Sequence, residues 1–118
     1  MTAEECIKGR RSIRKFTAEP VSHELLARIV ETASFAPSWK NTQITRYIAV
    51  EGAKKDALAK CTSIFPGNGV IIENAPMVIA VTAITGRSGY ERDGSFSTPK
   101  GTGWQMYDAG VASEAFCL

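Results

Sequence analysis

The last fifteen residues, WQMYDAGVASEAFCL from Trp104 to Leu118, read as a helix that is apolar on nearly every side. Only Gln105, Asp108, Ser113 and Glu114 break it, along one side. A helix of that composition has to be buried on more than one side. The sequence stops at Ala115, Phe116, Cys117 and Leu118 with no glycine, basic last turn or cap, an ending in mid-helix. The native chain is therefore expected to continue beyond Leu118.

Residues 1–118 are the length of one domain, here expected to be truncated at its C-terminus. A domain of this size buries roughly two thirds of its unfolded surface and owns a core. The composition, 44% hydrophobic and 22% charged, excludes disorder and fibrous repeats. The opening MTAEECIKG is acidic and lacks an apolar stretch, so no secretory leader is expected. The longest nearly apolar run, Ala75 to Ile84, is about half of a membrane span. A soluble, cytoplasmic protein with no membrane partner follows. Cys6, Cys61 and Cys117 are far apart, as reduced structural thiols are, and the single histidine, His23, has no second imidazole with which to share a metal. No metal site is expected, and His23 is read as solvated in the first turn of a helix.

Along the chain, Thr2 and Glu5 have the spacing of a capping box, which predicts a short helix from Ala3 to Lys8 ending in a left-handed Gly9. Ser22 is a good N-cap for a second helix whose Leu25, Leu26, Ile29, Val30 and Ala33 recur at helical spacing. Pro37 ends it near Phe35. Ala36 to Gln43, APSWKNTQ, reads as a loop, Ile44 to Val50 as a strand, Gly52 to Cys61 as a helix and Ile64 to Gly69 as a turn-rich connection. Pro76 to Ile84, PMVIAVTAI, lacks polar alternation, the mark of a strand covered on both faces at the centre of a sheet. Thr85 to Gly103, with five glycines, reads as a long excursion, either a ligand cover or plain surface loop.

The net charge is only +2, yet Lys8, Arg10, Arg11, Arg14 and Lys15 fall within eight positions. Arginine presents a planar fork that matches phosphate oxygens, and Ser12 adds a hydroxyl. This stretch, RRSIRKF, is a phosphate clamp, a solvated basic turn or a nucleic-acid patch; against the last, no aromatic residues are interleaved to stack on bases. Ile13 and Phe16 read as anchors to the core. In the APSWKNTQ loop, Asn41 and Gln43 each carry a donor and an acceptor, as reading the edge of a heterocycle requires. Trp39 either stacks on a ring or plugs the core. One histidine makes no nucleophile–base pair and there is no Walker loop, so any chemistry has to come from a cofactor.

Taken in order, RRSIRKF, EPVSHELLARIVETASFAPSWKNTQ, PMVIAV and GWQMYDAGVASEAFCL resemble the FMN-dependent nitroreductase family over nearly the whole chain. The resemblance implies an α+β fold with a central sheet flanked by helices, forming an intertwined homodimer with FMN at the subunit interface. It implies that Arg10, Arg11, Ser12 and Arg14 hold the FMN phosphate and ribityl chain. Pro37 and Ser38 would approach the flavin from the partner subunit, with Asn41 and Gln43 against the isoalloxazine or its surroundings, and the last helix would be the centre of the dimer core. The implied reaction takes hydride from NAD(P)H and reduces a nitroaromatic, quinone or similar small-molecule acceptor, with no side-chain acid or base and no nucleic acid. Members of the family run on for some fifty or more residues, including a glycine-containing segment near the flavin and a late basic residue that completes the phosphate site. The alternative is a non-catalytic FMN- or anion-binding or interaction module.

Overall fold

A computed structural model describes residues 1–62 and 64–118. The elements are α1 (Ala3–Gly9), α2 (His23–Ala33), a single 3-10 turn (Trp39–Asn41), β1 (Thr45–Val50), α3 (Gly52–Lys60), α4 (Pro66–Asn74), β2 (Val78–Ala83) and α5 (Gly103–Cys117). They fall into two compact units, one of Met1–Leu26 with Ile48–Ala80 and one of Ala27–Tyr47 with Val81–Leu118.

In the first unit, the capping box at Thr2 forms as its spacing predicts. Thr2 Oγ1 accepts the Glu5 N–H at 3.2 Å, and the Glu5 carboxylate accepts the Thr2 N–H at 2.7 Å. Gly9 corrects the expectation: it stays helical, and the cap is Arg10 at φ −57° and ψ 136°, because the chain leaves in an extended direction that needs no left-handed residue. The basic stretch after it forms no strand. Ile13 and Phe16 are not core anchors, since Ile13 is 66% exposed and Phe16 43%. Ser22 caps the start of α2 as expected, its hydroxyl accepting the Leu25 N–H at 3.1 Å. His23 is exposed in that first turn and meets Glu51 at 2.8 Å.

The segment read as a turn-rich connection is largely helix. Pro66 sits at the first position of α4, where its fixed φ suits a helix and its missing N–H costs nothing. Packing against α3 then outweighs the low propensity of Gly67 and Gly69. A Cβ on Gly69 would stand 3.1 Å from the Ala59 carbonyl oxygen, so this glycine permits the close approach. Lys55 of α3 is buried at 6% exposure, and its ammonium donates to the Ile72 and Glu73 carbonyls at 3.1 and 2.7 Å and meets Asp56 at 3.0 Å. It thereby satisfies acceptors at the end of α4 that have no helical donor.

β1 and β2 form a two-stranded sheet. Ile44 O accepts from Ile84 N at 2.9 Å and Arg46 O from the Thr82 hydroxyl at 3.4 Å, so the positions run in opposite senses and the pair is antiparallel. The expectation of a strand covered on both faces does not hold: β2 has one neighbouring strand, Val81 is exposed, and none of its residues is buried. α5 likewise departs from its expected enclosure, with Met106 76% and Tyr107 63% exposed. Among the described residues the buried apolar side chains are Ala33, Ile44, Ala59 and Ala112, a thin core for this length. The apolar surface that the composition demands lies on open faces instead.

The second unit is organised around a charge. Asp108, read from the sequence as part of the polar side of α5, is 1% exposed. Its two carboxylate oxygens accept the Trp39 N–H at 3.0 and 3.1 Å, and Oδ2 also accepts the Ser88 hydroxyl at 2.6 Å. A buried carboxylate is tolerated when it is saturated in this way. It ties the loop before β1 and the excursion after β2 to the middle of α5. The Trp39 and Trp104 rings, with centroids 4.3 Å apart, pack above the same junction. Gly89 makes room there: at φ +83° its Cβ would stand 2.6 Å from the Gly101 carbonyl oxygen and 3.0 Å from Trp104. The excursion is hydrogen-bonded throughout, with a Tyr90–Phe96 bridge and an Asp93 turn in which Oδ1 accepts from the Ser95 hydroxyl at 2.6 Å and its N–H at 2.9 Å.

Two outcomes follow for this unit. Asp108→Ala leaves the Trp39 N–H and the Ser88 hydroxyl without acceptors and is expected to destabilise the protein by about 2 to 4 kcal/mol in denaturant unfolding followed by tryptophan fluorescence. Asp108→Asn, which keeps the volume, is expected to cost less. The Ser95 hydroxyl, and then its N–H, hold the Asp93 carboxyl below its ordinary value of 3.8. The folded state therefore binds that proton more weakly than the unfolded chain, and the turn's contribution is complete above pH 3.8 and lost as pH falls through the lower folded value. Amide exchange of Gly94 and Ser95 is expected to accelerate over that acid window, and Asp93→Asn to abolish the pH step.

Candidate functional site

The two sets of residues singled out in the sequence lie in different units. Arg10, Arg11, Ser12 and Arg14 follow the capped end of α1 in an open, exposed stretch. Arg11 Nη1 donates to the Lys8 and Arg10 carbonyls at 2.7 and 2.8 Å, and Arg14 Nη1 to the Ser12 carbonyl at 3.3 Å. These short-range bonds bend each side chain back on its own backbone. Neither Arg11 nor Arg14 meets a carboxylate among the described residues, so their charge is not neutralised within the chain.

Pro37, Ser38, Asn41 and Gln43 belong to the second unit, on a loop of unusual backbone. Lys40, Asn41 and Gln43 have φ of 44°, 54° and 49°. Asparagine visits this left-handed region readily; lysine and glutamine do so at a cost of order 1 kcal/mol or more each. The geometry is held from outside by Asp108 on the Trp39 N–H, by the Ser38 hydroxyl accepting the Gln43 N–H at 2.9 Å, and by Lys40 meeting Glu91 at 3.1 Å.

Beside the loop is a cavity of about 530 Å³, lined by Pro37, Ser38 and Gln43 but not by Asn41. The structure thus brings three of the four loop residues to one cavity. Its wall also contains Thr42, Arg46, Arg87 and Asp108, which the sequence reading missed. The Thr42 hydroxyl is buried with no hydrogen-bond partner, as is the Trp39 ring N–H. Tyr47, also on the wall, donates its hydroxyl to the Ala112 carbonyl at 3.2 Å and stacks on Phe116 at 5.0 Å. Burial, and secondarily Cys117, push its phenol above the usual 10.0, which keeps it a neutral donor. Of the missed residues only Asp108 had a signal: an aspartate inside an apolar helix is buried only with partners.

The wall combines an apolar lining with amide, hydroxyl and guanidinium groups, the makeup of a small-molecule site. Among the described residues no group of His, Cys, Asp and Glu is arranged to hold a metal ion, and no helix is long and apolar enough to cross a membrane.

Comparisons with known proteins agree with this geometry. The model of the nitroreductase family matches residues 7–66. Nitroreductase NfnB of Mycolicibacterium smegmatis is 43% identical over 58 residues, which are 49% of this chain and 25% of that protein. The crystal structure of a nitroreductase family protein from Clostridium novyi NT matches with 28% identity and a TM-score of 0.74, covering 99% of this chain and 62% of the other. A protein of Exiguobacterium sibiricum 255-15, crystallised in complex with FMN, shares the fold with a TM-score of 0.75 at 23% identity, covering 98% of this chain and 68% of its own. The chain spans between 24% and 52% of the length of the curated relatives it matches. With a family model over more than half of its residues and the same fold in the solved structures, the chain belongs to the nitroreductase family and has its α+β fold.

Proposed function

We propose that the protein is an FMN-dependent oxidoreductase that takes hydride from NAD(P)H and reduces a nitroaromatic, quinone or similar small-molecule acceptor. The observation that carries this reading is the strained loop of Ser38 to Gln43 on a cavity with an unsatisfied hydroxyl, in a family whose Exiguobacterium sibiricum relative in fold binds FMN. The residues present fit such a group. Arg11 and Arg14 hold guanidinium charge that no carboxylate neutralises, suited to a phosphate. The exposed Gln43 amide and the buried Thr42 hydroxyl offer the mixed donors and acceptors that a heterocycle's edge takes up.

When bound, FMN supplies reversible hydride acceptance, which no side chain provides. The chain's part is to bind and orient: Arg10, Arg11, Ser12 and Arg14 on the phosphate and ribityl chain, and Pro37, Ser38, Asn41 and Gln43 against the ring system. On this reading the two sets act from two copies of the chain in a homodimer located in the cytoplasm. The exposed Met106 and Tyr107 of α5 and the thin core of the protomer support a second copy as the missing cover. Residues 1–118 act as a single domain of the longer protein, and no nucleic acid or membrane takes part.

A second reading, an FMN- or anion-binding module without turnover, is favoured by the short span of the chain relative to its relatives. Purified protein reconstituted with FMN separates the two. Yellow protein whose flavin bands bleach on adding NAD(P)H supports the enzyme; yellow protein that does not bleach selects the module; colourless protein rejects both. Arg14→Ala is expected to raise the Kd for FMN about 10- to 100-fold, the loss of one charge-assisted hydrogen-bonding group, as read by fluorescence quenching on titration.

A further inference from the structure

The cavity beside the 38–43 loop holds more cationic donor capacity than the fold uses. Arg46 directs Nη1 to the Gln43 and Thr45 carbonyls at 2.7 and 2.8 Å, which leaves the rest of its fork unassigned. Arg87, on the same wall, makes no side-chain hydrogen bond or ion pair among the described residues. The one carboxylate on the wall, Asp108, is saturated by the Trp39 N–H and the Ser88 hydroxyl. Nothing in the lining therefore neutralises the two guanidinium groups. Thr42 adds a buried hydroxyl without a partner, a group that native folds seldom leave unmatched. The remainder of the lining, with Val30, Ala33, Ile44 and Ala112, is apolar.

An apolar lining with two unneutralised guanidinium groups and one orphaned hydroxyl selects a ligand with a flat apolar body and one anionic end. We infer that this cavity binds an aromatic carboxylate, its acid group on Arg87 with Arg46 and the Thr42 hydroxyl and its ring against the apolar lining, and that this is the acceptor class of the enzyme. The assignment as acceptor rests on the flavin reading above; the binding does not. With 4-nitrobenzoate as the acceptor the reaction balances. NAD(P)H and a proton supply two electrons and, with the transferred hydride, two hydrogens. One N–O bond of the nitro group breaks, its oxygen leaves as water, and the nitroso compound and NAD(P)+ remain.

The test is equilibrium dialysis of the full chain against 4-nitrobenzoate and its uncharged analogue 4-nitrobenzamide, with and without FMN. The carboxylate is expected to bind about tenfold more tightly, a difference of one charge-assisted contact at an exposed guanidinium. Arg87→Gln is expected to abolish the preference while leaving the melting temperature unchanged, because that side chain supports nothing else. Thr42→Val is expected to weaken the carboxylate severalfold with stability kept or raised, since it removes an unsatisfied hydroxyl. Equal binding of the two probes, or a preference that survives Arg87→Gln, overturns the inference. Colourless protein that keeps the preference supports the site and overturns the flavin reading alone, whereas yellow protein with no preference overturns this inference alone.

Discussion

The second unit depends on one buried carboxylate. Taking Asp108 out of water is costly, and only the convergence of the Trp39 N–H and the Ser88 hydroxyl offsets that cost. The same bonds transmit order to the loop before β1. Lys40 and Gln43 have no intrinsic reason to adopt positive φ, so their conformation is imposed by partners distant in sequence: Asp108 on the residue before Lys40, and Glu91 on the Lys40 ammonium. The Ser38 hydroxyl closes the loop locally on the Gln43 N–H. Without the carboxylate the loop would have the ordinary freedom of a segment rich in serine, threonine and amides.

Features built from neighbours in sequence were legible. The Thr2–Glu5 capping box, the Ser22 cap and the end of α2 before Pro37 each depend on interactions within a few residues, and each is present. Features decided by distant partners were not. The glycines of α4 argued for a turn, but the contact with α3 at Gly69 outweighed propensity. Ile13 and Phe16 looked like core because they are apolar, yet burial is a property of what surrounds a residue, and little of this chain surrounds them. At the site, the motif residues Pro37, Ser38 and Gln43 were legible and do share a cavity. Thr42, Arg46 and Arg87 were not, because nothing local distinguishes a threonine on a cavity wall from one in solvent.

The distribution of apolar surface carries its own argument. With roughly 25 cal/mol gained per Å² of apolar area removed from water, exposed residues such as Met106, Tyr107 and Ile13 are substantial unused driving force. The core formed by Ala33, Ile44, Ala59 and Ala112 is mostly small side chains, which bury little area each. An apolar helix left open in this way is a surface that favours association, and the homodimer of the proposed reading gives it a cover.

Strain and unmet hydrogen-bonding capacity occur together in this protein. Lys40, Asn41 and Gln43 are the described non-glycine residues with positive φ, and the buried donors Trp39 Nε1 and Thr42 Oγ1 lie within the same five positions. Each feature alone lowers stability, by an amount comparable to a typical single substitution. A loop serving only to connect α2 to β1 would gain by relaxing both, and glycine at the strained positions or valine at Thr42 would suffice. Their concentration on a cavity wall is what a site looks like when polar groups are held ready for a ligand at the expense of the unliganded fold. The saturated Asp108 beneath makes that arrangement tenable, because it fixes the backbone without competing for the cations that face the cavity.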